Sequence, residues 1–453
     1  GQPGDGDDGV VDAGASRALL LTNSTPSLSS FTLTANTLTF SNWDTSLNAT
    51  SGAINAGAIV TLPAAFAESD MSNRAHFACG DLTLATNAAV NVAGKGFTGS
   101  SGPGKGANGG GTGGGGGGHA GLGGAGSGAG GAAYGDMAAP LSPGSGGAPG
   151  YTVGGAGGGV VWIQATGIVT IHGTISASGS NAVSRGGGGA AGSIFIQCER
   201  FHGSTNGLLS ANGGNGDNYE YSYSGGGGSA GRISVVYNPA SQQGEPKPGV
   251  RFSTVGGPAG YPARVRGKGS RGSVFITDTA LLPEVLADRL FTEVDLFMDG
   301  VTSWAPNSLT VSNCSVTFRD MLALAVTNDL LVGGGGVLGL WPNRMLACGG
   351  NLICTNGGSL SVYSSPTNAT YTDYGALVAV TGDMQVAPGG QICPVSDGTN
   401  GGSVVFRAAN VIIMTNGVFN ATAAGYQAGY GQGKGANGGG NGGGGGGHGG
   451  AGG

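Results

Sequence analysis

Charge is scarce in this chain. Asp, Glu, Lys and Arg together make up 9% of the 453 residues, the net charge is −6, and no run is rich in Lys or Arg. Gripping phosphates takes a basic stripe, so neither nucleic acid nor an anionic membrane surface is expected as a partner. Long apolar runs are missing too. None approaches the ~20 residues that cross a bilayer, so no membrane insertion is expected in this stretch, and no signal peptide is visible.

The six cysteines (Cys79, Cys198, Cys314, Cys348, Cys354 and Cys393) form no Cys-x-x-Cys pair and have no histidine at zinc spacing. A zinc cluster is therefore not expected, and by proximity Cys348 and Cys354 are the best disulfide candidates. The five histidines are scattered. Acids such as Asp217, Glu220, Asp278, Asp320 and Asp373 form no set with Arg266 that recurs at a fixed spacing. A glycosidase needs paired carboxylates about the scissile bond, so catalysis is not expected.

What the chain has is glycine, 102 residues of it. With 18 prolines this exceeds a quarter of the sequence, a range in which disorder is the default. The abundance of Val, Ile, Leu, Thr and Asn elsewhere opposes that default, and the lack of a Gly-X-Y period excludes collagen. The glycines concentrate between Gly94 and Gly159. There Gly104, Lys105 and Asn108 lead into six glycines and His119. Nearly the same string returns with Lys434, Asn437 and His448, each 329 positions after its counterpart. Recurrence in register marks a repeat architecture.

Such tracts are expected to be ordered, as close-packed polyproline-II-like segments. Glycine alone lets backbones approach so closely, and ordered backbone needs hydrogen-bond partners. A neighbouring chain or repeat is the natural supplier, which makes Gly104, Lys105, Asn108, His119, Lys434, Asn437 and His448 a candidate assembly interface. Tyr426, in the place of Phe97, and Tyr430 are expected to pack the second tract down.

Between the tracts the text is strand-like. Phe31–Thr34, Leu38–Phe40 and Ile59–Leu62 alternate apolar residues with Thr. One helix of about two turns is expected over Pro283–Leu290, with proline at its start. A rung recurs in which two short strands flank a corner. Asp81-Leu82-x-Leu84 with Val90-x-Val92 matches Asn351-Leu352-x-Cys354 with Leu360-x-Val362, and units from Asp383 and Asn410 follow the same spacing. Ala78-Cys79-Gly80 precedes the first rung and Ala347-Cys348-Gly349 the second. A second unit, Gly-x-Ile/Val-x-apolar, starts at Gly159, Gly192, Gly231, Gly272 and Gly402, and Cys198 continues its inward phase.

These patterns describe an all-β chain, a parallel β-helix of right-handed coils with glycine-rich excursions. Its segments read as a strand-rich junction at 1–72, coils with the 94–159 insert at 73–250, a further strand-rich segment at 251–342, and coils ending in the second tract at 343–453. Two candidate sites remain. Asp5, Asp7, Asp8 and Asp12 are closely spaced carboxylates that suit calcium, with an acidic turn as the competing reading. Tyr219, Tyr221 and Tyr223 share one face of a strand, as either a carbohydrate platform or a cover over the coil below. Five Asn-x-Ser/Thr sequons, at Asn23, Asn48, Asn313, Asn368 and Asn420, matter only along a glycosylating route.

Over residues 75–453 the chain resembles the large, glycine-rich, secreted repeat proteins of bacteria with autotransporter-like, adhesin-type β-helix passengers. The resemblance rests on the Gly-x-Ile-x-Ile units, the Asn416–Ala421 corner and the near-identical tracts. It implies an extracellular or surface location and a role as a fibre or surface-layer component built of copies of itself, or as an adhesin for glycans or cells. The chain, which begins Gly1-Gln2-Pro3 and stops within a tract, reads as a segment of a longer tandem protein.

Overall fold

The computed structural model describes residues 3–12, 18–67, 71–218, 223–260, 267–343, 345–368, 372–436 and 446–447. The chain is a parallel β-helix: the strand pairings are parallel, and each strand pairs with its equivalent one coil on. Two compact units are present, one of residues 1–282 and 290–298, the other of 283–289 and 299–453.

In the first unit one face runs through Leu28–Leu33, Leu47–Ile54, Ala75–Leu84, Val160–Ala165, Ser193–Gln197, Arg232–Val236 and Gly272–Ile276. A second face stacks Thr37–Phe40, Ile59–Thr61, Ala89–Asn91, Thr174–Ser176, Leu208–Ser210 and Arg251–Ser253. The second unit has three strands per coil. One set passes through Leu330–Gly333, Leu352–Cys354, Asp383–Val386 and Asn410–Ile413.

Because side chains alternate along a strand, parallel stacking in register lines up like residues on the inside. Val161, Ile194, Ile233 and Val274 form such a column, and so do Val90, Ile175, Leu209 and Phe252. In the second unit Leu352 stacks on Met384 and Leu360 on Ile392. All of these are buried, each contributing about 1.5–3 kcal/mol. The rungs from Asp81, Asn351 and Asp383 and the units from Gly159, Gly192, Gly231 and Gly272 are thus ladders of the core, whereas Val404 and Phe406 of the Gly402 unit are half-buried and Val411 and Ile413 of the Asn410 rung are exposed. At the corners, Asn87, Asn356 and Asn416 take the left-handed conformation that asparagine tolerates best after glycine.

Three expectations are corrected. Residues 283–290 are not helical: Val285–Leu286 is a strand, and Asp288 and Arg289 turn through left-handed φ values of 52° and 61°. Pairing with Leu309–Ser312 and burial of Leu286 override the local helical preference. Among the described residues the single α-helical turn is instead Pro239–Gln242, capped by Asn238. Cys348 and Cys354 do not bond to each other; all six cysteines are free. Cys198 lies one residue beyond its strand and is only partly buried.

Candidate functional site

The site that sets this chain apart is a lattice of glycine runs. Gly113–Gly118 is buried and touches six other segments of its own chain. Gly114 and Gly117 donate to the carbonyls of Arg185 and Gly188, and Gly115 and Gly118 to those of Ala107 and Gly104. Gly116 donates to Gly124. In return, Gly226 and Ser229 donate to Gly114 and Gly117, Gly131 to Gly116, and Ala148 to Gly115, at 2.8–2.9 Å. Partners recur every third residue. That is the period of the polyproline-II helix, whose three-fold symmetry sends successive N–H groups to successive neighbours.

The pattern extends through the first unit. Gly155 and Gly158 donate to Gly187 and Ala190, and Gly188 and Ala191 to Gly226 and Ser229. Gly227 and Ala230 donate to Gly267 and Ser270. The runs come from 94–159 and from the segments that follow successive coils, around 179–192, 212–217, 224–231, 254–260 and 267–272. Ordering glycine costs more backbone entropy than ordering any other residue, and here dense backbone hydrogen bonding offsets that cost.

The lattice has no room for side chains. A Cβ on Gly115 would lie 1.9 Å from the carbonyl oxygen of Ala129, and one on Gly116 would lie 2.0 Å from that of Gly227. The Cα hydrogens therefore point at neighbouring carbonyls, adding weak Cα–H···O contacts.

One end of the central run is fastened by a buried polar set. His119 donates its N–H to Ser229 Oγ (2.8 Å), and its Nδ1 lies 2.8 Å from the carbonyl of Ala191. Its ring tilts against Tyr134 at 4.9 Å. Tyr134 donates its hydroxyl to Pro143 O and accepts from Ser145, whose Oγ accepts from Gly104 N. Arg232 donates to the Tyr134 carbonyl (2.9 Å) and to Ser273 Oγ. Burial, with the Arg232 charge nearby, pushes the His119 imidazole down to about 3, so it is neutral. Burial likewise raises the Tyr134 phenol.

From this knot, residues 134–142 cross the outer face of the coils. Ser234 Oγ donates to Ala138 O and Ser193 Oγ to Ser142 O, both at 2.6 Å. Ser193–Gln197 and Arg232–Val236 are therefore covered on both faces over most of their length, which is why their sequences are almost continuously apolar or small.

The expected interface residues separate. Gly104 and His119 face inward to partners within their own chain, so these two positions belong to the lattice interior and not to a surface between chains. Lys105 and Asn108 are exposed, Asn108 Oδ1 closing a turn onto Gly110 N. Lys434 is exposed, and Asn437 and His448 lie outside the described residues. Tyr426 lies against Gly431 and Gly401 but stays 49% exposed, whereas Phe97 is buried on Phe66.

Of the tyrosines, Tyr219 and Tyr221 lie outside the described residues, and the Arg185 guanidinium stands 4.7 Å over the ring of Tyr223. The acidic turn is stitched to the next coil. Asp5 Oδ1 accepts from Ser27 N, Asp7 Oδ2 from Gly4 N and Asp8 Oδ1 from Ser30 Oγ, and the Asp12 carbonyl accepts from Asn36. No three His, Cys, Asp or Glu side chains converge as around a metal ion among the described residues, so these aspartates are not gathered. Arg232, Tyr134, Ser145 and Ser229 escaped the sequence reading. Their signal is faint: serines interrupting glycine runs, and an arginine at the x position of Gly231-x-Ile233.

No family model and no curated protein matches the chain. Among solved structures it is similar to a crystal structure of a TibC-catalysed, hyper-glycosylated TibA fragment. The TM-score is 0.25 and the identity 11%, over 92% of this chain and 99% of that one. The fold rests on the strand pairing of this chain itself, which defines a parallel β-helix protein with an internal glycine lattice.

Proposed function

We propose that this is a structural extracellular protein, a β-solenoid that forms or decorates a fibre or surface layer and catalyses no reaction. The observation that carries the reading is the glycine lattice. A body of nearly side-chain-free, mutually hydrogen-bonded runs offers stiffness and few side chains for a protease to grip.

Copies of the chain are the partners this reading calls for, and two features support them. The second tract repeats the opening contacts of the first: Gly447 donates to Gly433 as Gly118 does to Gly104, and Lys434 to Gly431 as Lys105 does to Gly102. Val411 and Ile413 are 54% and 53% exposed, whereas Leu82 and Leu84, 329 positions earlier, are buried. A further coil would cover them, as Ile168–Ile171 covers Leu82 and Leu84.

Electron microscopy of the purified chain tests this. Filaments with a defined axial repeat are the expected result. Isolated short particles at every concentration would remove the polymer from the reading.

A further inference from the structure

We propose that the outer face of the first unit carries a binding groove for a neutral, extended oligosaccharide, crossing the strands at Ala78 and Gly80. The proposal goes beyond the structural role and does not depend on polymerisation.

The groove follows from a bend in the coils. Ala75–Leu84 pairs with Val160–Ala165 as far as Cys79, then with Ile168–Ile171 from Leu82. Between the two, Thr166 N donates to Cys79 O and Gly167 N to Gly80 O. A Cβ on Gly80 would lie 2.3 Å from the Thr50 carbonyl, so only glycine lets the strands approach this closely. Ala78 and Gly80 make a low floor. Asn48 and Thr50 stand on one side, Gln164 and Gln197 on the other, around a volume of about 670 Å³. That is ample for a small ligand. The lining draws on five successive strands, which at about 4.8 Å spacing extends it over roughly 19 Å. An extended chain of sugars fits that length better than a single one.

The chemistry of the walls selects the class. Every lining side chain is uncharged, so an anionic ligand finds no cation here and a cationic ligand no carboxylate. The strands are paired on both sides, leaving no free edge for a peptide to extend as an added strand. What remains is amides and hydroxyls around small apolar residues, matching sugar hydroxyl edges and C–H faces.

The amides are set in advance. His76 Nε2 lies 2.9 Å from Gln164 Oε1, and Gln164 Nε2 and Trp162 Nε1 both donate to Gln197 Oε1. With its oxygen engaged, Gln197 keeps its amide nitrogen for a ligand. Asn48 is held by Thr25 O and Ser46 Oγ. The Trp162 ring that anchors Gln197 is itself stacked on His76 at 4.1 Å.

Calorimetric titration of the full chain with neutral hexasaccharides of glucose, mannose and xylose, and with hexagalacturonate, tests the proposal. At least one neutral sugar should bind saturably and with little salt dependence. Ala78→Gln, which fills the floor from the solvent side, should weaken that binding at least about tenfold. Gln197→Ala should weaken it with the floor intact, and Thr83→Gln, exposed on the same strand outside the groove, should not. The proposal is overturned by saturation with none of the neutral sugars, by binding of hexagalacturonate alone, or by wild-type affinity in both Ala78→Gln and Gln197→Ala.

Discussion

Gly447 donates its N–H to the carbonyl of Gly433 at 2.8 Å, and Gly118 donates to Gly104 in the same way at 2.7 Å. Both members of the pair are displaced by 329 positions. The repeat is therefore one of hydrogen bonds as well as of letters. It extends to the corner before the tract, where Asn91 Oδ1 accepts from Ala93 N and Asn420 Oδ1 from Thr422 N.

Lattice glycines should be intolerant in proportion to their Cβ clash. Gly115→Ala places a methyl 1.9 Å from a backbone oxygen that cannot move without shifting its own run. Destabilisation of about 3 kcal/mol is expected by chemical denaturation. Gly425, with open space around its Cβ position and no left-handed φ, should accept alanine with a gain of about 0.4–1 kcal/mol. Equal effects at the two sites would mean the runs are looser than the lattice requires.

His119 should make the fold acid-sensitive. Its folded pKa, about 3, lies below the unfolded value of about 6.5, so between the two only the unfolded chain binds the proton. The stability that the neutral ring contributes is complete above pH 6.5 and is lost as pH falls toward 3. His119→Gln carries no such proton. Its denaturation midpoint should therefore fall less steeply than that of the parent over this window, and parallel pH profiles would contradict the neutral buried ring.

How much of this was legible in the chain differs by element. The ladders were readable because period-two alternation and the Gly-x-Ile-x-Ile units write the inward column directly, as Ile194 on Ile233 shows. That the first tract is ordered was readable from the register it shares with the second. Which run neighbours which was not: a glycine helix has no side chains to mark its three-residue period, so nothing in the letters pairs Gly117 with Gly188. A neighbouring chain or repeat was expected to supply the partners, and for the first tract they are other runs of the same chain. The groove was hidden for a similar reason, since Ala78 and Gly80 matter by being small and stood out only as a repeat marker.

Arg232 should behave as the pin of the 134–142 arm. It is 9% exposed and holds the Tyr134 carbonyl with two nitrogens, at 2.9 and 3.3 Å. Arg232→Met keeps much of the volume and loses these bonds, for an expected cost of about 1.5–3 kcal/mol. Hydrogen exchange should quicken at 134–142 before it does in the coils beneath. Uniform quickening would place the role of Arg232 in the core instead.

Burial raises the thiols of Cys79, Cys198 and Cys354 to about 12, so at neutral pH they are protonated and poor nucleophiles. Iodoacetamide should leave these three unmodified in the folded chain, and all six cysteines should label after denaturation without reductant. A requirement for reductant would show a disulfide that the fold does not contain.

The two glycine tracts can be separated by one substitution in each. A Cβ on Gly433 lies 1.9 Å from Gly447 O, and one on Gly104 lies 2.4 Å from Ala132 O. Gly104→Val strikes the closed lattice of the first unit and should lower its melting temperature. Gly433→Val strikes the second tract, where the expected partners are runs from another copy. It should leave the first unit's transition in place while abolishing filaments. Filaments that survive Gly433→Val would shift polymer contact to the exposed coil around Val411 and Ile413, where a charged replacement such as Val411→Asp then becomes the deciding variant.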